Sequence, residues 1–301
     1  MHRPDRPSHI ETSPDRLRRC SLVAAMLLGS VALASAAPRD EQKIPPSSGC
    51  RLEAFGSGRV TAVLDGRTFV LADGREVRLY GIEVPPMPGS GQAAAPRSEA
   101  AGPVADGGLA AAAALAALVT GNEITLKHLR PASDRYGRLL AEAFVTHEGA
   151  EIAVGRAMVA QGYARVAGRP GGAACTADLL ATERGARAAQ LGLWGDPRYV
   201  SRRAENPGEV LAERGRFTLV EGKVVSVRES GGTIYVNFGR RWQQDFTVTI
   251  SKRNERLFTA AGLEPRKLAG RRVVVRGWIE ERGGPWIEAA APEQIEIVAE
   301  R

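Results

Sequence analysis

A chain of 301 residues, 44% hydrophobic and 25% charged, is neither a disordered tail nor a polytopic membrane protein, and its length suits two domains. The net charge of +7 leaves nucleic acid open as a partner class. The excess is uneven: residues 1–36 carry +2, 51–200 only +1, and 201–301 carry +4.

The chain opens with Arg16, Arg18 and Arg19 ahead of an apolar run from Leu22 to Leu33, closed by Ala34-Ser35-Ala36. A basic stretch, a short apolar stretch and a small-x-small site are the parts of a secretory signal peptide. The run is shorter than the ~20 residues a membrane span needs. The expectation is a signal peptide at 1–36 and a periplasmic or secreted protein with no transmembrane segment after cleavage. Cys20 leaves with the signal, so Cys50 and Cys175 remain in an oxidising compartment, where two cysteines most simply pair. The other reading leaves two unpaired buried cysteines.

Residues 37–57 read as a polar leader containing Pro45-Pro46-Ser47-Ser48. From Arg59 the pattern turns to strands. Alternating Val60, Ala62 and Leu64 lead to a turn at Asp65-Gly66, then Thr68–Leu71, a turn at Asp73-Gly74, and Glu76–Ile82. That is a three-stranded antiparallel meander. Pro85–Gly108 is rich in Pro, Gly, Ala and Ser and reads as a surface loop. A helix is expected over Leu109–Val119, strands over Glu123–Leu129 and Leu139–Val145, and helices over Ile152–Gly162 and Thr176–Leu191. A polar linker at 200–214 follows. Beyond it, strands at Phe217–Val227, Thr233–Phe238 and Phe246–Ile250, a helix at Asn254–Ala261, and strands at Arg271–Ile279 and Trp286–Glu288 follow the order of a five-stranded OB barrel, with a coda at Ile295–Val298.

Five separated motifs carry the chemistry: Asp65-Gly66-Arg67-Thr68, Arg78-Leu79-Tyr80-Gly81-Ile82-Glu83-Val84-Pro85, Asp134-Arg135-Tyr136-Gly137-Arg138, Gly162-Tyr163-Ala164-Arg165-Val166, and Gly192-Leu193-Trp194. Their order resembles the thermonuclease (staphylococcal nuclease-like) family over roughly residues 58–195. The resemblance implies a mainly β fold with α-helices, an OB-type five-stranded barrel with packed helices over 58–199; the strand order beyond the linker adds a second small OB-like barrel at 215–299. It also implies a calcium-dependent phosphodiesterase acting on DNA or RNA.

Such a site needs carboxylates converging on a hard cation, arginines on the phosphate, and a further carboxylate for the attacking water. By resemblance Arg78 and Arg138 are the two phosphate arginines, while Asp65 and Glu83 are the residues near the metal. Arg67, Arg135 and Tyr136 are further phosphate-binding candidates. Two positions depart from the family pattern. Arg67 stands where the family has a calcium-binding aspartate, and Pro86 where it has the general-base glutamate. Removing an acid/base group costs ~10²–10⁴ in rate, so the expectation is impaired or absent hydrolysis. Arg67, Arg78 and Arg138 would then form a metal-free anion pocket, with Glu83 paired to one guanidinium.

Architectural roles remain open to the same residues. Asp65 can serve as a turn former, Arg78 and Arg138 can bridge Glu83 and Asp134, and Tyr136 and Tyr163 can be core residues. His128 and His147 stand alone, with no metal-ligand spacing. In the second barrel Arg240, Arg241, Trp242, Lys252 and Arg253 mix cations with an aromatic, as single-strand nucleic-acid surfaces do. The sequence thus supports a thermonuclease-like protein with a degenerate calcium and base site, a non-catalytic nucleic-acid or polyanion binder, or an envelope protein-interaction scaffold.

Overall fold

The alternating run before Asp65 forms β1 (Glu53–Asp65), which begins five residues ahead of the expected boundary at 58. The two Asp-Gly turns return it through β2 (Thr68–Leu71) and β3 (Glu76–Leu79), giving the expected meander. The structure is a computed structural model that describes residues 50–89, 106–128, 133–168, 172–241 and 243–298. The segment read as a signal peptide, most of the leader, the centre of the Pro-rich loop and Trp242 lie outside the described residues.

A two-residue strand, β4 (Ile82–Glu83), follows, and then helix α1 (Gly107–Val119). Asp106 caps this helix by accepting from the Gly108 and Leu109 amides. Strands β5 (Glu123–His128) and β6 (Leu139–His147) complete a closed barrel. β1 pairs antiparallel with β2 and β5, β2 with β3, and β5 with β6, and β3 runs parallel to β6. Alternation sends Val77, Leu79, Ile124, Leu126, Ala141 and Ala143 inward, where they meet Ala111, Leu115 and Val119 from one face of α1.

The helix expected from Ile152 starts later. Glu148 and Gly149 both take positive φ, making a tight hairpin that folds β7 (Ala150–Ala153) back onto β6. Only then does α2 (Val154–Ala160) begin, followed by β8 (Arg165–Val166), which pairs with β4, and by α3 (Ala173–Ala188). Cys175 in α3 is disulfide-bonded to Cys50, tying the segment just before β1 to the helical layer.

The stretch read as a linker holds a short strand, β9 (Arg202–Arg203), and a short helix, α4 (Pro207–Leu211). The strand expected at Phe217–Val227 is broken at Val224-Val225 into β10 (Phe217–Lys223) and β11 (Ser226–Ser230). Then come β12 (Thr233–Asn237), β13 (Thr247–Ser251), α5 (Glu255–Ala260), β14 (Arg272–Trp278), β15 (Glu280–Arg282), β16 (Gly284–Glu288) and β17 (Ile295–Ile297). β10 pairs with β14, β11 with β12, β12 with β13 and β15 with β16, all antiparallel, while β13 runs parallel to β16. This is the connectivity of the first barrel again, with its first and fourth strands each bent into two segments. Breaking those strands lets one chain serve two differently oriented faces of a small barrel.

The barrels share a buried joint. Leu219 and Val274 point outward from β10 and β14 and pack on Ala186 of α3 and on Trp194. Arg276, two residues along from Val274, is fully buried there. It donates to Glu183 of α3 at 2.7 Å and to the Val166 carbonyl at 3.0 Å. Arg187 and Glu296 complete the cluster. Across the same joint Arg165 donates to the Phe217 and Tyr199 carbonyls at 2.9 and 2.6 Å. Burial lowers its pKa to about 10, with Glu183 and Glu213 opposing the shift. Among the described residues no helix is long and apolar enough to cross a membrane.

Candidate functional site

The turn between β1 and β2 starts the site. The Asp65 carboxylate accepts from the Arg67 amide at 2.8 Å, an Asx-type contact that fixes the turn. Gly66 is required there because α1 lies so close that a Cβ would sit 2.5 Å from the Ala111 methyl. The turn former reading of Asp65 is therefore real, and it coexists with a contact to Arg78, whose guanidinium lies 3.7 Å away. Register sets Arg78 opposite Thr68, and it donates to the Thr68 hydroxyl at 3.3 Å.

Arg67 turns inward. Its guanidinium lies 2.5 Å from Glu83 Oε1 and donates to the Ile82 carbonyl at 3.0 Å. Both partners are buried, Arg67 at 5% and Glu83 at 3% exposure. Glu83 is held from the other side by β4–β8 pairing opposite Arg165. Behind it a cavity of about 220 Å³ is bounded in part by Pro85, Pro86, Arg165 and Tyr199. Pro86 packs against the start of α1: a Cβ on Gly108 would meet the Pro86 carbonyl at 2.3 Å. The residue at 86 is thus part of the helix seat and has no side-chain acceptor for a proton.

The Asp134–Arg138 turn supplies the other arginine. Asp134 accepts from the Tyr136 and Arg138 amides at 2.9 and 3.1 Å, and holds the Arg138 guanidinium at 2.6 Å. Gly137 provides the positive φ this tight loop needs. Burial pushes the Asp134 carboxyl up, but the hydrogen bonds from Arg138 and the two amides outweigh it and leave it below the usual range. Tyr136 is not a core residue. It is 66% exposed, with the Arg135 and Arg138 guanidinium groups about its ring at 4.8 and 5.0 Å. Tyr163, by contrast, is packed against the first barrel's core.

The parallel pairing of β3 and β6 sets Arg78 opposite Leu140, two residues beyond Arg138. The charges register each other. Burial lowers the Arg78 pKa most, the nearby Arg67 and Arg138 lower it further, and Asp65 and Glu83 oppose them. The structure therefore assembles Asp65, Arg67, Arg78, Glu83 and Arg138 at one end of the barrel. Arg135 and Tyr136 form its exposed rim.

The fit to a divalent cation is poor. Calcium takes six to eight oxygen ligands, and here the most buried carboxylate already binds a guanidinium. A unit charge at Arg67 opposes a divalent cation by about 8 kcal/mol at 4 Å and an effective dielectric of 20. Among the described residues no group of three or more His, Cys, Asp or Glu could hold a metal ion.

In the second barrel the residues named from sequence separate. Lys252 is engaged by Glu229 and Glu255 at 2.9 and 2.8 Å, and the Arg241 amide donates to Asp245. Arg240 and Arg253 border an open groove on the outer face of β12 and β13. Sequence reasoning missed the joint of Arg165, Glu183 and Arg276. A charged residue within the Val-rich run of β14 was the available signal.

No curated protein matches this chain. Residues 76–196 match the family model described as Staphylococcal nuclease homologue. The match takes in Arg78, Glu83 and Arg138 and begins after Asp65 and Arg67, although β1 and β2 close the same barrel. Barrel, motif order and matched segment agree, and residues 76–196 form a domain of the staphylococcal nuclease homologue family.

Proposed function

We propose that this is an exported thermonuclease-like protein whose first barrel grips a phosphate of DNA or RNA but hydrolyses it weakly or not at all. The observation that carries the reading is the buried Arg67–Glu83 ion pair, which sets a fixed positive charge beside the carboxylate the family would use for its metal. Arg78 and Arg138 keep partly accessible guanidinium groups for the phosphate oxygens, in charge-assisted and often bidentate bonds. Arg67 faces Glu83 rather than solvent, so it acts on the phosphate by its charge from behind, not by direct contact.

Gripping a phosphate is not cleaving it. Hydrolysis also needs a group to position or deprotonate water. Glu83 is committed to Arg67, and Pro86 offers no acceptor side chain. Export rests on the signal-like segment at 1–36 and accords with the Cys50–Cys175 bond.

Digestion of denatured DNA with calcium, followed on gels, tests the reading. The parent protein should leave the substrate essentially intact, whereas Arg67→Asp combined with Pro86→Glu should gain cutting. Calcium-dependent cutting by the parent, lost on Arg78→Ala, would refute it.

A further inference from the structure

The second barrel carries a built face that neither the family match nor the first site explains. Along β12 and β13 alternate residues point into the barrel as Ile234, Val236, Val248 and Ile250. The residues between them point outward and are aligned by register: Tyr235 opposite Thr249, Asn237 opposite Thr247, and Thr233 opposite Ser251. β11 extends the rows by setting Arg228 opposite Tyr235 and Ser226 opposite Asn237. An outward face on a small barrel is usually well solvated. Here Asn237, Thr247 and Thr249 are buried, because the face is the floor of a groove of about 990 Å³.

The rim is cationic. Arg228, Arg240, Arg253 and Arg282 line the groove against two carboxylates, Asp245 and Glu288. Arg282 is engaged, its guanidinium over the Trp286 ring at 3.1 Å. Arg228, Arg240 and Arg253 have no carboxylate partner among the described residues, whereas nearby Lys252 and Arg266 are both tied to Glu229 and Glu255. Tyr235, partly buried, lines the groove on the middle strand, between Arg228 of β11 and Thr249 of β13.

We propose that this groove binds single-stranded nucleic acid. Arg228, Arg240 and Arg253 meet backbone phosphates, Tyr235 stacks on a base, and Asn237 with the β13 threonines hydrogen-bonds to base or sugar. A modest cationic excess around an aromatic floor suits a ligand held by stacking as well as charge. A duplex keeps its bases stacked on one another and cannot offer one to a recessed ring, and a sulfated polysaccharide has no aromatic face. The proposal concerns the second barrel alone and stands whether or not the first barrel hydrolyses phosphodiesters.

Fluorescence anisotropy of a labelled oligo(dT) with the full chain, in EDTA so that no metal-dependent cutting intervenes, tests it. Binding should saturate and weaken with salt. Tyr235→Ala should lower affinity about 5- to 150-fold, while Tyr235→Phe, which keeps the ring and controls for folding, should bind like the parent. Arg228→Gln with Arg253→Gln should make the salt dependence shallower, by about 0.7 in slope for each phosphate no longer neutralised. The proposal fails if no binding occurs, or if duplex or heparin fragments bind as well and with equal indifference to Tyr235→Ala. It also fails if binding survives Tyr235→Ala and falls on Arg78→Ala, because the first barrel would then be the site.

Discussion

Glu142 should make the protein lose stability as pH rises from about 4.5 to about 7. It sits on β6 facing away from the barrel interior, under the helices. Its carboxylate oxygens lie 3.9 and 3.7 Å from where Cβ atoms of Gly81 and Gly155 would be. Burial raises its pKa from 4.5 to about 7, and Asp178 on α3 adds to the shift. Arg156, the nearest cation on α2, is bonded to Asp178 at 3.3 Å. Below pH 4.5 the carboxyl is protonated whether the chain is folded or not, and the contribution is fully present. Between 4.5 and 7 only the unfolded chain gives up the proton, so stability falls with rising pH and levels off above 7. The interval from 4.5 to about 7 corresponds to about 3 kcal/mol. Urea unfolding of the parent and of Glu142→Gln, at about pH 5 and about pH 8.5, isolates this group from every other titration. The variant should be more stable than the parent at the higher pH by an amount approaching that figure, with a smaller difference at the lower. An identical pH dependence in the two proteins would refute the reasoning.

The joint between the barrels should be similarly sensitive. Arg276→Ala leaves Glu183 buried with Arg187 as its remaining ion-pair partner, at a cost of about 3–5 kcal/mol in denaturant unfolding. Replacing both as Arg276→Met and Glu183→Leu should recover much of that loss, since two apolar side chains leave no stranded charge. Reducing the Cys50–Cys175 bond, which spans 125 residues of sequence, should destabilise the protein by about 2–5 kcal/mol, read as a lower denaturation midpoint with reductant.

Much of this architecture was legible in the sequence because it rests on local rules. The Asp65-Gly66 and Asp73-Gly74 turns, the alternation of their strands, and the helix stopped at Gly121 all follow from short-range chemistry. Motif order then made the first barrel recognisable. What escaped depends on tertiary packing. The hairpin at Glu148-Gly149 needs positive φ at a glutamate, which sequence disfavours. The break at Val224-Val225 lies inside a run of good strand formers and shows only in the tertiary pairing, β10 with β14 and β11 with β12. The partner of Glu83 was foreseen only as one guanidinium among three. Its burial against Glu83 comes from the way β4 is clamped by β8. Tyr136 defied its hydrophobic bulk, since two arginines stack about its ring at the surface. The groove over β12 and β13 was legible only in part: Arg240 and Arg253 were named from the sequence, whereas its other residues are spread over five strands and meet only through register.

Calcium-dependent thermal unfolding of the parent and of Arg67→Asp tests the central claim, that a buried arginine has taken the place of the metal. The variant, with Asp65, Glu83 and the introduced carboxylate together, should gain stability with calcium, by about 2.7 kcal/mol when calcium is at a hundred times its dissociation constant. The parent should show no shift over the same titration. A saturable calcium-dependent rise in the parent's unfolding temperature, as large as in the variant, would contradict the account.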